Sequence, residues 1–271
     1  MTASVDGARQ GRRLTWPWYL AVVIVYLGVI QGLGAVVRMD TGDGKFSSVE
    51  AVARNGLVPV GVSVLFVAGL VTWLGWWGEV LRYRVPVRRW VWFVPVSMLV
   101  VAFVCIDYPN LAQQGLGLTL CLVLFVLLVG VGEELMFRGV GVHVFARAGF
   151  SEAKVALWTS VIFGMAHLTN AINDGSRAIL QAIIVSTSGY FLYLCLRVAS
   201  VILLPMLVHA SWDFGLLSGE LGSDPALYPA SFGILLLQVV LIVVLLFRFR
   251  RVDPVPGAAV TGPGAGGSTG G

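Results

Sequence analysis

Charge is what this chain has least of. Only 12% of its 271 residues are charged while 58% are hydrophobic, and the mean hydropathy is +0.88. A soluble domain is nearer a quarter charged, so a soluble globular fold is excluded and an integral membrane protein is expected. Cysteine is also scarce. Cys105, Cys121 and Cys195 each lie inside an apolar run and form no C-x-x-C pair. That excludes a disulfide scaffold and a Cys-based metal centre, and leaves them as small buried apolar side chains. There is no H-E-x-x-H, hence no ordinary zinc-protease helix. No internal repeat is visible, which argues against an inverted-repeat transporter. The net charge of +4 is dispersed over segment ends, so no basic patch for nucleic acid exists.

What the chain has instead is apolar runs. They fall at about 16–37, 57–77, 90–106, 116–137, 155–168, 178–196, 200–217 and 232–247. A spanning helix needs roughly 20 apolar residues, fewer where neighbours cover its ends. The expected architecture is therefore an all-α polytopic bundle of about eight transmembrane helices. Arg12-Arg13 before the first run resembles the start of a signal peptide. However, the run is too long for an h-region and no small-residue cleavage site follows, so it reads as a retained span.

The basic residues fall at alternate ends. Arg9, Arg12 and Arg13 precede the first run, and Arg82, Arg84, Arg88 and Arg89 separate the second from the third. Arg147 and Lys154 follow the fourth, Arg197 the sixth, and Arg248, Arg250 and Arg251 the eighth. By the positive-inside rule both termini are cytoplasmic, in a multi-pass protein of the cytoplasmic membrane. Trp73, Trp76, Trp77, Trp90 and Trp92 gather round one Arg-rich loop and read as an interfacial belt. The organisation expected is a cytoplasmic segment 1–15, a helical domain 16–252, and a tail 253–271. That tail is too rich in Gly, Pro and Ala to fold.

One stretch breaks the apolar pattern. Gly130–Gly139, G-V-G-E-E-L-M-F-R-G, carries Glu133, Glu134 and Arg138. Each charge inside a membrane helix costs roughly 2.5–3.5 kcal/mol even on lenient scales, so either this segment is a solvated helix end outside the membrane or its residues are a working site. Glu134 and Arg138 stand four apart, acid first, the favoured order for an ion pair. Glu133 lies about 100° away round the helix and stays free. Two further elements are F-G-M-A-H, ending at His167, and H-A-S-W-D, with His209 and Asp213 one turn apart. Glu133 lies 17 residues before the turn centred on Phe150, and His167 lies 17 after it. His209 and Asp213 follow Arg197 by 12 and 16 residues. All four thus fall at similar depth, within about a turn or two of helix.

A buried Glu, two His and an Asp with no Ser or Cys nucleophile suit activation of water. The Glu would act as general base, while the others hold the water or a metal, or polarise a carbonyl. Glu133, His167 and His209 could ligate zinc, with water in the fourth position.

These residues carry a resemblance. E-E-L-M-F-R at 133–138 resembles the E-E-x-x-x-R motif of the CPBP family of intramembrane proteases. That family includes the Rce1-type CAAX prenyl endopeptidases and abortive-infection-like proteins. F-G-M-A-H resembles its F-x-x-x-H motif, and H-A-S-W-D its H-x-x-x-N/D motif with Asp in place of the frequent Asn. The resemblance covers about 116–217. It implies an intramembrane (metallo)endopeptidase acting on a membrane-embedded or lipidated peptide, such as a prenylated CAAX protein. Glu133 would be the base and His167 would hold water. His209 and Asp213 would stabilise the oxyanion or orient the site, and Glu134 with Arg138 would be structural. An ionised Asp213 cannot donate to an oxyanion, so it would be protonated or serve His209 or a metal. Two other classes stay open: a proton-coupled transporter using Glu133, His167 and Asp213 as a relay, and a non-catalytic membrane scaffold or immunity protein. His143 lies outside the motifs and reads as a helix-surface residue.

Overall fold

The computed structural model describes residues 12–37, 46–171, 175, 177–223, 228–248 and 251–253. The first eleven residues, and all of the expected tail 253–271 but Asp253, lie outside this set.

Every long element is a helix, as a membrane demands, because a helix satisfies its backbone polar groups within itself. In chain order they are α1 (Trp16–Val37), α2 (Val49–Leu74), α3 (Trp77–Val80), α4 (Arg89–Val104) and α5 (Tyr108–Arg147). After them come α6 (Glu152–Ala166), α7 (Arg177–Ala199), α8 (Leu203–Leu217) and α9 (Phe232–Arg248). Among the described residues, five elements are long and apolar enough to cross a membrane: α1, α2, α5, α7 and the segment Pro229–Arg248 that contains α9. The other three apolar runs form the shorter helices α4, α6 and α8. At 15 residues each, α6 and α8 extend only about 22 Å. Both run short of a full bilayer core of ~30 Å.

Local chemistry sets the ends. Ser48 caps α2 by accepting from the Ala51 N–H at 3.1 Å, and Asp107 caps α5 through Asn110 N–H at 3.0 Å. Gly75 closes α2 in the left-handed conformation (φ 74). Gly115 (φ 82, ψ 169) breaks α5 after its first two turns, a conformation open to glycine and costly for other residues.

The bundle has two well-defined ends. At one, Arg12 Nη1 donates to the Trp73 carbonyl at 2.8 Å, and Arg147 pairs with Glu79. Arg197 Nη2 donates to the Pro86 carbonyl at 2.6 Å, and Trp90 Nε1 to the Arg251 carbonyl at 2.8 Å. The Arg-rich loops therefore meet one another. At the opposite end Gly222 N–H donates to the Phe46 carbonyl at 3.1 Å. Asn110 Nδ2 donates there to Ser218 O at 2.8 Å, and Gln31 Nε2 to Thr169 Oγ1 at 3.0 Å. Between the ends the bundle presents apolar side chains outward, among them Leu65, Val104 and Leu246, as a lipid-facing surface should.

Two expectations change. Trp76 is not a belt residue: it is 1% exposed, donates to the Arg12 carbonyl, and has the Arg147 guanidinium 4.2 Å over its ring. Trp73, at 56% exposed, does face outward. His143 is half-buried rather than on the surface. It sits edge-on to Tyr83, with Nδ1 2.7 Å from the Gly139 carbonyl.

Candidate active site

The site is built where α5 changes its winding. Immediately after Glu134 the chain passes into a π-helical stretch, Leu135–Gly141, before resuming α-helix at Val142. Widened turns of this kind occur mainly at functional sites. All seven residues of the stretch are buried.

Arg138 is wholly buried and takes the role its spacing suggested. Its Nη1 donates to Glu134 Oε1 at 2.9 Å and its Nη2 to the Gly189 carbonyl at 3.0 Å. The guanidinium lies 4.1 Å from the centre of the Phe163 ring, a cation–π contact that α6 supplies. Gly189 is needed for this approach. A Cβ there would stand 3.1 Å from both the Phe163 ring and the Ser160 backbone.

The Glu134–Arg138 pair also reaches a third helix. His209 on α8 is 6% exposed, and its Nδ1 lies 2.8 Å from Glu134 Oε1. Glu134 bridging to Arg138 is a carboxylate and can only accept, so Nδ1 carries the proton. The other imidazole nitrogen, Nε2, points at the remaining acids. It is 3.5 Å from Asp213 Oδ2 and 3.8 Å from Glu133 Oε2. Close packing of α5 on α8 makes these distances possible, since a Cβ on Gly130 would stand 2.7 Å from the Met206 carbonyl oxygen.

His167 follows the last turn of α6. Its Nδ1 is 3.0 Å from the Phe163 carbonyl, which again fixes the proton there and leaves Nε2 available. Phe163 thus touches three site residues: Arg138 over its face, with His167 and His209 edge-on at 5.1 and 5.8 Å between ring centres.

Glu133, His167, His209 and Asp213 all line one cavity of about 1530 Å³, and the buried Glu133 Oε2, like Glu134 Oε2, has no hydrogen-bond partner. The structure thus brings together the four residues singled out in the sequence. Tyr26 joins them and was not foreseen. It lines the cavity from α1, its hydroxyl 3.1 Å from where a Gly132 Cβ would stand. A tyrosine inside an apolar run carries no signal of its own.

The donor types suit zinc, and each His has Nδ1 engaged as metal-bound imidazoles usually do. However, among the described residues no three His, Cys, Asp or Glu side chains gather closely enough to hold one ion.

The sequence model of the Rce1-like type II CAAX prenyl endopeptidases matches residues 115–215. The stretch that holds Glu133, His167, His209 and Asp213 is thus an Rce1-like domain, and the family implies an intramembrane protease acting on protein substrates. No curated protein and no solved structure matches the chain.

Proposed function

We propose that the protein is an intramembrane endopeptidase in which Glu133 activates water. The observation that carries this reading is Glu133 itself, which lines the same cavity as His167, His209 and Asp213 and whose buried Oε2 has no hydrogen-bond partner. A buried acceptor left without a donor costs roughly 1–3 kcal/mol or more. Such a cost in the middle of a bundle is what a general base reserved for water would impose.

Water held between Glu133 and His167 Nε2 gives its proton to the Glu133 carboxylate as its oxygen attacks the scissile carbonyl carbon. The carbonyl π pair moves onto oxygen, giving a tetrahedral oxyanion. His209, held by Glu134 through Nδ1, stabilises that charge when Nε2 is also protonated. Asp213, 3.5 Å from Nε2, favours and orients that protonated ring. Glu133 then returns its proton to the amide nitrogen as the C–N bond breaks, leaving a carboxyl and an amine terminus. General base catalysis of this kind contributes about 10²–10⁴-fold, and each oxyanion donor about 10²–10³-fold.

The remaining helices support a multi-pass arrangement in which α4, α6 and α8 complete eight crossings with both termini cytoplasmic. Substrate would be a membrane-embedded or lipidated polypeptide, the prenylated CAAX type being the one the family implies. The transporter reading finds less support, because the acids gather in one cavity rather than in a file across the bundle.

The test is peptidase activity of detergent-purified protein, wild type beside Glu133→Gln. Turnover should fall by about 10²-fold or more while thermal stability holds, because Oε2 loses no partner. Unchanged turnover of a bona fide substrate would end the assignment.

A further inference from the structure

The cavity lies mostly in one half of the bundle, with Phe137 and Leu192 as its floor, and it is not the half with the Arg-rich loops. From Glu133 it extends along the C-terminal half of α1 through Ile30, Gln31 and Ala35, and along the N-terminal half of α2 at Asn55 and Pro59. It takes in Thr169 and Asn170 beyond α6, Gln181 at the start of α7, and Glu220 beyond α8. These positions share the end defined by the Gln31–Thr169 and Asn110–Ser218 hydrogen bonds. None of Arg82, Arg84, Arg88, Arg89, Arg147, Lys154, Arg197 or Arg248 lines it. Among the described residues, the cavity end holds Arg54 and Arg177, and Arg138 is in the site. Arg12, Arg13, Arg82, Arg84, Arg88, Arg89, Arg147, Lys154, Arg197, Arg248 and Arg251 lie at the first end.

This asymmetry orients the chain. An excess of Lys and Arg in short loops marks the cytoplasmic side, so the cavity faces the other compartment. Below Glu133 the route to the cytoplasm is filled. Arg138, Phe137 and Met136 are each at most 1% exposed, and Tyr19, Trp76 and Tyr193 close the basic end beneath them. At about 1530 Å³ the space also exceeds the ~300–1,000 Å³ of small-molecule pockets. Its polar pairs, Gln31 with Thr169 and Asn170 with Gln181, could exchange hydrogen bonds with a peptide backbone.

We infer that substrate reaches Glu133 from the non-cytoplasmic face of the membrane, as a polypeptide segment entering between α1 and the turn His167–Asn170. This rests on the endopeptidase reading for what is cut, but the side of entry does not depend on catalysis. Substrates would be membrane or exported polypeptides whose scissile bond lies at or beyond the non-cytoplasmic leaflet, in place of a prenylated tail held at the cytoplasmic face.

The test is labelling with a membrane-impermeant maleimide in right-side-out and inside-out vesicles. Single replacements Thr169→Cys and Asn170→Cys mark the cavity mouth, and Arg84→Cys marks the basic end. Wild type sets the background, which half-buried Cys121 alone would supply, since Cys105 and Cys195 are buried. Both mouth variants should label in right-side-out vesicles and lose labelling in inside-out ones, with Arg84→Cys doing the reverse. Mouth labelling from the Arg84 side, or from neither side, would overturn the inference. Repeating the labelling in Glu133→Gln separates the two readings: the pattern should persist even if the chain proves to have no peptidase activity.

Discussion

His209 Nδ1 and Glu134 Oε1 are 2.8 Å apart, and the same carboxylate oxygen accepts from Arg138 at 2.9 Å. Glu134 therefore does more than neutralise its helical neighbour. It fixes the tautomer and aim of an imidazole on another helix, and Arg138 in turn ties that carboxylate to the α7 backbone through Gly189. Glu134→Gln should lower both stability and turnover. Leaving one member of a buried pair unpaired costs about 3–5 kcal/mol. The double variant Glu134→Leu/Arg138→Met should recover much of the melting temperature in detergent yet none of the activity. Recovery of both together would reduce Glu134 to a purely structural residue.

Asp213 sits 3.5 Å from His209 Nε2, so a polar side chain that still engages the ring should suffice there. Asp213→Asn is expected to keep activity within about tenfold of wild type. Asp213→Leu should lose about 10²-fold or more, the range for removing one group that supports an oxyanion. Equal loss in both variants would mean that the charge itself is required.

The approach of α5 to α8 can be probed at Gly130. An added Cβ would stand 2.7 Å from the Met206 carbonyl oxygen, which belongs to the backbone and cannot swing aside. Gly130→Ala should cost about 1–3 kcal/mol, as overpacking does. It should also reduce turnover out of proportion, because a shift near 1 Å at a catalytic group can cost ~10²-fold. The split between melting temperature and kcat checks this. A fall in stability with kcat intact would detach the helix approach from the chemistry.

Much of this site is legible in the sequence because charge is so rare there. In a chain with 12% charged residues, Glu133, Glu134 and Arg138 stand out against the apolar stretch around them, and helical arithmetic alone pairs Glu134 with Arg138. Counting residues from the Phe150 turn places Glu133 and His167 at one depth, and both do line one cavity. What could not be read depends on contacts between helices. The Glu134–His209 bond joins residues 75 positions apart. Phe163 was visible only as a motif letter, not as the ring beneath Arg138. Trp76 looked interfacial because loop position does not reveal burial, and the π-helical winding of Leu135–Gly141 leaves no mark in its residues.

The metal question yields a prediction from donor placement. Glu133, His167 and His209 are of the right chemical types, but no three such groups converge among the described residues. Purified protein is expected to carry less than stoichiometric zinc by mass spectrometry and to keep its turnover after dialysis against a chelator. Zinc at one per chain, lost together with activity in His167→Ala, would show instead that the site closes around an ion.

A last prediction concerns pH and the basic end, away from the site. Glu152 stands just before the apolar run that starts at Val155. It accepts from Tyr83 at 2.9 Å and from Tyr193, with Arg197 Nε at 3.8 Å. Burial raises its carboxyl above the usual 4.5, and the Tyr83 hydrogen bond and the Arg197 charge only partly offset that. The folded state therefore holds this proton more tightly than the unfolded chain does. Its contribution to stability is fully present below the ordinary carboxylate value and is lost as pH rises through the raised one. Wild-type protein should lose melting temperature across that interval, and Glu152→Gln should flatten the decline, because a neutral amide keeps the polar contacts without a charge to desolvate. The check is the pH dependence of melting temperature for the two proteins in one detergent. Parallel curves would mean that burial and the Arg197 charge cancel, and a wild-type curve that rises with pH relative to Glu152→Gln would mean that Arg197 governs this carboxyl.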